Sequence, residues 1–98
     1  MIQRIVLFKL KDEYRNDIAR TEFAERTRKD LSALGRVRGV TVGVAEEATR
    51  DHWDIAITVQ FDSMEDVKAY IPDPDHRAYV DGYAMPKVAF RKAWNFEI

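Results

Sequence analysis

The chain has 98 residues, 46% of them apolar and 11% aromatic, with a formal net charge of −1 and no cysteine. That describes one globular domain over residues 1–98 and excludes disulfides and thiolate metal sites. So small a net charge gives no electrostatic footprint for nucleic acid or an anionic membrane, and the apolar run Ile5 to Phe8 is too short for a signal peptide or a span, so a cytoplasmic protein is expected.

The opening Ile2 to Leu10, rich in Ile, Val, Leu and Phe, predicts a strand with apolar residues on both faces. Asp17 to Leu34 predicts a helix: Glu22 with Arg26 and Glu25 with Lys29 are favourable i,i+4 pairs, and Phe23, Ala24, Thr27, Leu31 and Leu34 form a narrow stripe to bury. Gly35 and Gly39 punctuate the turn, and "VTVGVAEE" follows as a second strand. "WDIAITVQF" is the cleanest alternation in the chain. Trp53, Ile55, Ile57, Val59 and Phe61 point one way, and Asp54, Ala56, Thr58 and Gln60 the other.

Ser63 with Asp66 three residues on starts a short helix whose apolar side is Met64, Val67, Tyr70 and Ile71. Pro72 and Pro74 end it, and Pro74 opens another, capped by Asp73 and running to about Ala84. "KVAFRKAWNFEI" closes the chain as a strand. Strand, helix, strand, strand, helices, strand is the ferredoxin-like α+β order, a four-stranded antiparallel sheet with helices on one face.

The helix side is expected to hold Val6, Phe8, Ile57, Val59, Phe90 and Trp94, and the open face Ile5, Leu7, Ala56, Thr58 and Ala93, with Gln3, Lys9, Gln60 and Arg91. Such a face is too apolar to leave to water, so a homodimer packed sheet to sheet is predicted. RNA binding on this fold needs aromatics on the open face, and this reading puts them on the other side.

His76, Tyr79, Val80 and Tyr83 are spaced i, i+3, i+4, i+7 and share one side of the last helix, turned towards the sheet. A histidine there either makes a structural hydrogen bond or, as a neutral imidazole at the edge of a core, serves as a general base. Arg4 is the one charge on a strand face otherwise made of Ile2, Val6, Phe8 and Leu10. It either snorkels to water or sits at a pocket mouth to bind a carboxylate, phosphate or enolate. His52 falls in a loop, and with no cluster of ligating side chains near either histidine no metal site is expected.

Three segments, "MIQRIVLFKLKDE", "WDIAITVQFDSMEDVKAYI" and "PDPDHRAYVDGY", together resemble the stress-responsive α/β-barrel (Dabb) family over nearly the whole length. The resemblance implies a ferredoxin-like fold and a dimeric α/β barrel. One family member, a plant polyketide cyclase, performs an aldol closure without a cofactor in a pocket between sheet and helices. Carried over, its base histidine falls on His76 and its tyrosine on Tyr70, with Phe8, Ile57, Val59 and Ile71 lining the tunnel. Tyr79 joins that wall. Arg4 replaces the family's first-strand histidine, Ile55 stands where the cyclase has a second histidine, Arg26 falls at or near its first-helix tyrosine, and Asp73 replaces the first histidine of the H-P-x-H element.

Three functions fit this set. One is cofactor-free acid–base chemistry on a small, apolar or carbonyl-containing compound by His76 and Tyr70, with Arg4 as anchor. The second is a stress-associated or ligand-binding dimer without turnover. The third is a cofactor-independent monooxygenase-like enzyme.

Overall fold

The computed structural model describes residues 1–49 and 51–98. β1 (Ile2–Leu10), α1 (Asp17–Ser32), β2 (Gly39–Val44), β3 (Ile55–Phe61), α2 (Met64–Tyr70), α3 (Pro74–Tyr79) and β4 (Val88–Glu97) follow the predicted order. The sheet order is β2-β3-β1-β4 with every neighbouring pair antiparallel, so the two strands with the strictest apolar faces lie in the centre. α1 and the α2–α3 region cover one face.

The core lies between that face and the helices. Ile55, Ile57, Val59 and Phe61 are buried on β3, as are Ile2, Val6, Phe8 and Leu10 on β1. From α1 come Phe23, Ala24, Thr27 and Leu31 of the predicted stripe, joined by Arg20, while Leu34, its fifth residue, lies past the helix end and is partly buried. Phe8 meets Phe23 edge to face at 5.7 Å between centroids, a geometry that adds to the area each ring buries. On the surface of α1, Arg26 pairs with Asp30 one turn on, at 2.8 Å, rather than with Glu22.

Three placements differ from expectation. Asp54 does not share the open face with Ala56 and Thr58. It lies just before β3, fully buried, and accepts from the backbone N–H of Leu10 at 2.8 Å and from Arg20 Nε at 2.9 Å, with Arg15 Nε at 3.3 Å. Two guanidiniums reaching it from the α1 side offset the cost of burying the carboxylate.

The second difference is β4. Phe90, Lys92, Trp94 and Phe96 pair with Lys9, Leu7, Ile5 and Gln3 of the open face, while Arg91, Ala93 and Asn95 stand beside Phe8, Val6 and Arg4 under the helices. Phe90 and Trp94 are 64% and 41% exposed, so neither is core. Alternation reveals two sets of residues but not which set faces in. β4 is an edge strand, where the helix layer leaves room for polar side chains, and a bulge between its pairings with Lys9 and Leu10 sets the phase. The case against RNA drawn from missing aromatics therefore falls, while the near-neutral charge remains.

The third is the last helix. α3 stops at Tyr79, and Val80–Ala84 form a wider π turn. Among the described residues no helix is long and apolar enough to cross a membrane.

Candidate active site

The prolines build this site. Pro72 and Pro74 break the helical run, and Asp73 caps α3 by accepting from the Asp75 N–H at 2.8 Å. In an unbroken helix that N–H would have bonded the carbonyl of Ile71, four residues earlier. The carbonyl is instead taken by His76, whose Nδ1 lies 3.1 Å away. A carbonyl only accepts, so Nδ1 carries the proton and Nε2 keeps its lone pair. The structural and the chemical readings of His76 thus fall on different nitrogens of one ring.

The ring is buried at 8% exposure. Its face lies against Tyr70, with centroids 3.9 Å apart and planes inclined by 33°, and Tyr70 packs edgewise on Phe61 at 4.8 Å. Among the described residues Nε2 has no hydrogen-bond partner, and no buried polar side-chain atom is left unpaired, so Nε2 is not sealed in protein.

Burial, the largest influence, lowers the His76 pKa below its ordinary value; Arg77 and Arg4 lower it further, and the Ile71 hydrogen bond and Asp73 oppose them. The imidazole is neutral at neutral pH. Burial also raises the Tyr70 pKa far above the ordinary phenol value, with Arg4 opposing it, so its hydroxyl remains a donor.

These side chains enclose a cavity of about 30 Å³ between the sheet and the helices. Val6, Phe8, Ile57 and Val59 form its sheet wall, and Leu31, Tyr70, His76, Tyr79 and Val80 its helix wall. Met85 follows from the π turn, and Arg4 and Arg91 complete the ring. Such a space holds about one or two waters, so a ligand must move a wall. Met85, unbranched and half-buried, is the most adaptable part of it. Tyr79 is fixed by a hydrogen bond to the Thr27 hydroxyl, and burial raises its pKa as well.

Of the residues singled out in the sequence, His76, Tyr70, Arg4, Phe8, Ile57, Val59 and Tyr79 come together here. Two do not. Ile55 is buried farther along β3, opposite Phe8 and Val44, and Ile71 is 38% exposed and contributes only its carbonyl. Arg4 is half-buried and donates to Asn95 Oδ1 at 3.0 Å, so it belongs to the wall rather than only to solvent. Arg91 was missed because β4 was expected to face the other way. Val80 lay on the predicted α3 stripe, and Met85 carried no sequence signal.

A second recess of about 310 Å³ lies at one end of the open face, bounded by Leu7, Gly43 and Ala56 of the strands and by His52 and Trp53 of the preceding loop. Among the described residues no three His, Cys, Asp or Glu side chains gather in a way that would hold a metal.

The four-stranded antiparallel sheet with helices on one face is a ferredoxin-like α+β fold. The chain belongs to the Dabb family: the model of the stress-responsive A/B barrel domain matches residues 2–97. No curated protein matches it. Among solved structures, a Dabb family protein with a ferredoxin-like fold from Mesorhizobium loti is 21% identical, covers 99% of this chain and 95% of its own, and superposes with a TM-score of 0.83. A dimeric ferredoxin-like protein of unknown function from Thermobifida fusca is 26% identical over 99% of this chain and 90% of its own, with a TM-score of 0.79. A hydroxynitrile lyase from Passiflora edulis shares 15% identity over 99% and 92%, with a TM-score of 0.76.

Proposed function

We propose that the chain forms a homodimer with a cofactor-free acid–base site in each subunit, acting on a small carbonyl compound. The observation that carries the reading is the His76 ring: Nδ1 is tied to a backbone carbonyl, Nε2 has no partner among the described residues, and burial keeps the ring neutral. In the reaction Nε2 takes a proton from the carbon beside the carbonyl. The C–H electron pair becomes the C=C bond of the enolate as the carbonyl π pair moves onto oxygen, and the Tyr70 hydroxyl donates to that oxyanion. Among the described residues that hydroxyl has no hydrogen-bond partner to give up first. The lyase from Passiflora edulis supports the reading only in that its fold carries catalysis.

Self-association is supported by the open face. Phe90, Trp94 and Phe96 are exposed there beside Ile5 and Leu7, and the similar ferredoxin-like protein from Thermobifida fusca is dimeric. The 310 Å³ recess at the end of that face suits an aromatic ring of the facing copy. A role without turnover is favoured by one fact, the small volume of the chamber, about 30 Å³, which leaves a substrate little room to react.

Exchange of the α-protons of 2-butanone into D₂O, followed by NMR, separates the two. The wild-type protein is expected to speed exchange at neutral pH. His76→Asn keeps a donor for the Ile71 carbonyl but has no second ring nitrogen, so it should abolish exchange at unchanged melting temperature. Exchange no faster than in buffer, or equal in the variant, leaves only the binding role.

A further inference from the structure

We infer that Arg4 and Arg91 form an anion subsite at the mouth of the chamber, and that the substrates are small carbonyl compounds bearing a carboxylate. The inference rests on the acid–base reading of His76 for the word substrate, but not for the subsite.

The observation is a contrast among the arginines. Arg15, Arg20, Arg26, Arg36, Arg38 and Arg77 each pair with an aspartate, and Arg28 donates to the Val42 carbonyl. Among the described residues, Arg4 and Arg91 have no acidic partner, although both line one cavity. Arg4 donates only to the neutral amide of Asn95, and Arg91 makes no hydrogen bond or ion pair among the described residues. Two like charges converging on one space without an acid repel each other. Burial, the largest influence, acts against the charged form of Arg4, and Arg91 acts the same way, with Tyr70 opposing them. An anion between them would remove that cost, and a planar carboxylate matches the fork of a guanidinium.

Geometry decides what kind of anion. The chamber admits only about one or two heavy atoms unless Met85 moves, so the reacting end of a ligand enters as Met85 yields and the rest remains at the mouth. Arg91 is exposed and marks that mouth, while His76 and Tyr70 lie on the helix wall. The arrangement suits a carbonyl directed inwards and a carboxylate left at the rim, as in a short oxo acid. Arg4 and Arg91 stand on adjacent strands of one sheet, β1 and β4, so the subsite is held on rigid elements.

The test uses 4-oxopentanoate and its methyl ester, which differ by the charge, with affinity read by titration calorimetry and α-proton exchange read by NMR. The acid is expected to bind the wild-type protein at least tenfold more tightly than the ester. Arg91→Gln and Arg4→Gln should each remove most of that preference, Arg91→Lys should restore part of it, and raised salt should weaken binding of the acid alone. Equal affinity for acid and ester, no binding of the acid, or a preference that survives both glutamine variants overturns the subsite. Inorganic phosphate competing better than 4-oxopentanoate overturns the carboxylate assignment. Arginine-dependent binding of the acid without proton exchange leaves the subsite standing and removes the acid–base reading. Exchange of 2-butanone without any preference for the acid does the reverse.

Discussion

Two groups of arginines touch the helix-covered side of the sheet, and the protein treats them oppositely. Arg15 and Arg20 close on Asp54, a carboxylate with no exposure that is also held by the Leu10 N–H. Arg4 and Arg91 border the chamber with no acid between them among the described residues. The first group ties the end of β1, the start of α1 and the approach to β3 into one knot, and its charges are matched within the fold. The second adds nothing obvious to the fold and leaves positive charge facing a space beside a neutral imidazole. Stability and function are thus separable by where the acids are.

The largest effect should come from breaking the matched group. Asp54→Ala takes from buried Arg20 its close, buried counter-charge, leaving it the exposed Asp17 carboxylate at 3.7 Å, and leaves the Leu10 N–H without its acceptor. Losing one partner of a buried pair costs about 3–5 kcal/mol, a large share of a total stability of about 5–15 kcal/mol. Urea unfolding should show it. Arg4→Gln and Arg91→Gln, measured alongside, should each change stability by less than about 0.5 kcal/mol. If Asp54→Ala proves as mild as these, the distinction between a structural and a functional arginine group collapses.

Most of the fold was legible in the sequence because its signals are local. Ile2–Leu10 was delimited from composition alone, the β3 alternation identified four buried residues, and Ser63, Asp73 and Pro74 punctuated the helices where they occur. The site was legible to the extent that it follows from helical spacing, which put His76 and Tyr79 on one inward side. What failed depends on tertiary context. Asp54 was placed by alternation, but strand geometry begins only at Ile55, and a carboxylate is buried there because α1 delivers Arg20. Phe90 and Trp94 were expected on the helix side of the sheet, yet the sheet edge and the bulge reverse β4. The reversal conceals Arg91, and with it half of the proposed anion subsite.

The facing of β4 gives the next test, of intermediate size. Arg91 and Trp94 lie on opposite faces of one strand, so damage to one should spare the other. Trp94→Glu puts a charge into the proposed subunit interface. A central aromatic there is worth at least about 2 kcal/mol, or roughly thirtyfold in dimer affinity. Sedimentation should then show a single-subunit mass at concentrations where the wild-type protein is a dimer, with the affinity for 4-oxopentanoate unchanged. A dimeric Trp94→Glu protein points to another interface. A wild-type monomer that binds single-stranded RNA gives the aromatic row a different role.

The smallest effect is also the most specific to the unmatched end, and its sign is fixed by burial. His76 has a folded-state pKa below the ordinary 6.5, chiefly through burial, with Arg77 and Arg4 acting the same way and Asp73 against them. As pH falls through 6.5 the unfolded chain takes up a proton before the folded one, so this histidine's destabilising effect grows from 6.5 down to its folded pKa, stays in full below that, and is absent well above 6.5. The wild-type protein should therefore lose stability between pH 6.5 and the lower folded value more steeply than His76→Asn. The imidazole carbon-bound protons should titrate below 6.5 by NMR. Removing a nearby positive charge should raise that midpoint: Arg4→Gln moves it up, the more so at low salt, whereas Arg20→Gln, at the matched group, leaves it in place. Equal midpoints in the wild-type and Arg4→Gln proteins at low salt would mean that the Arg4 charge does not reach the imidazole, and the unmatched arginines would then lose their link to the acid–base site.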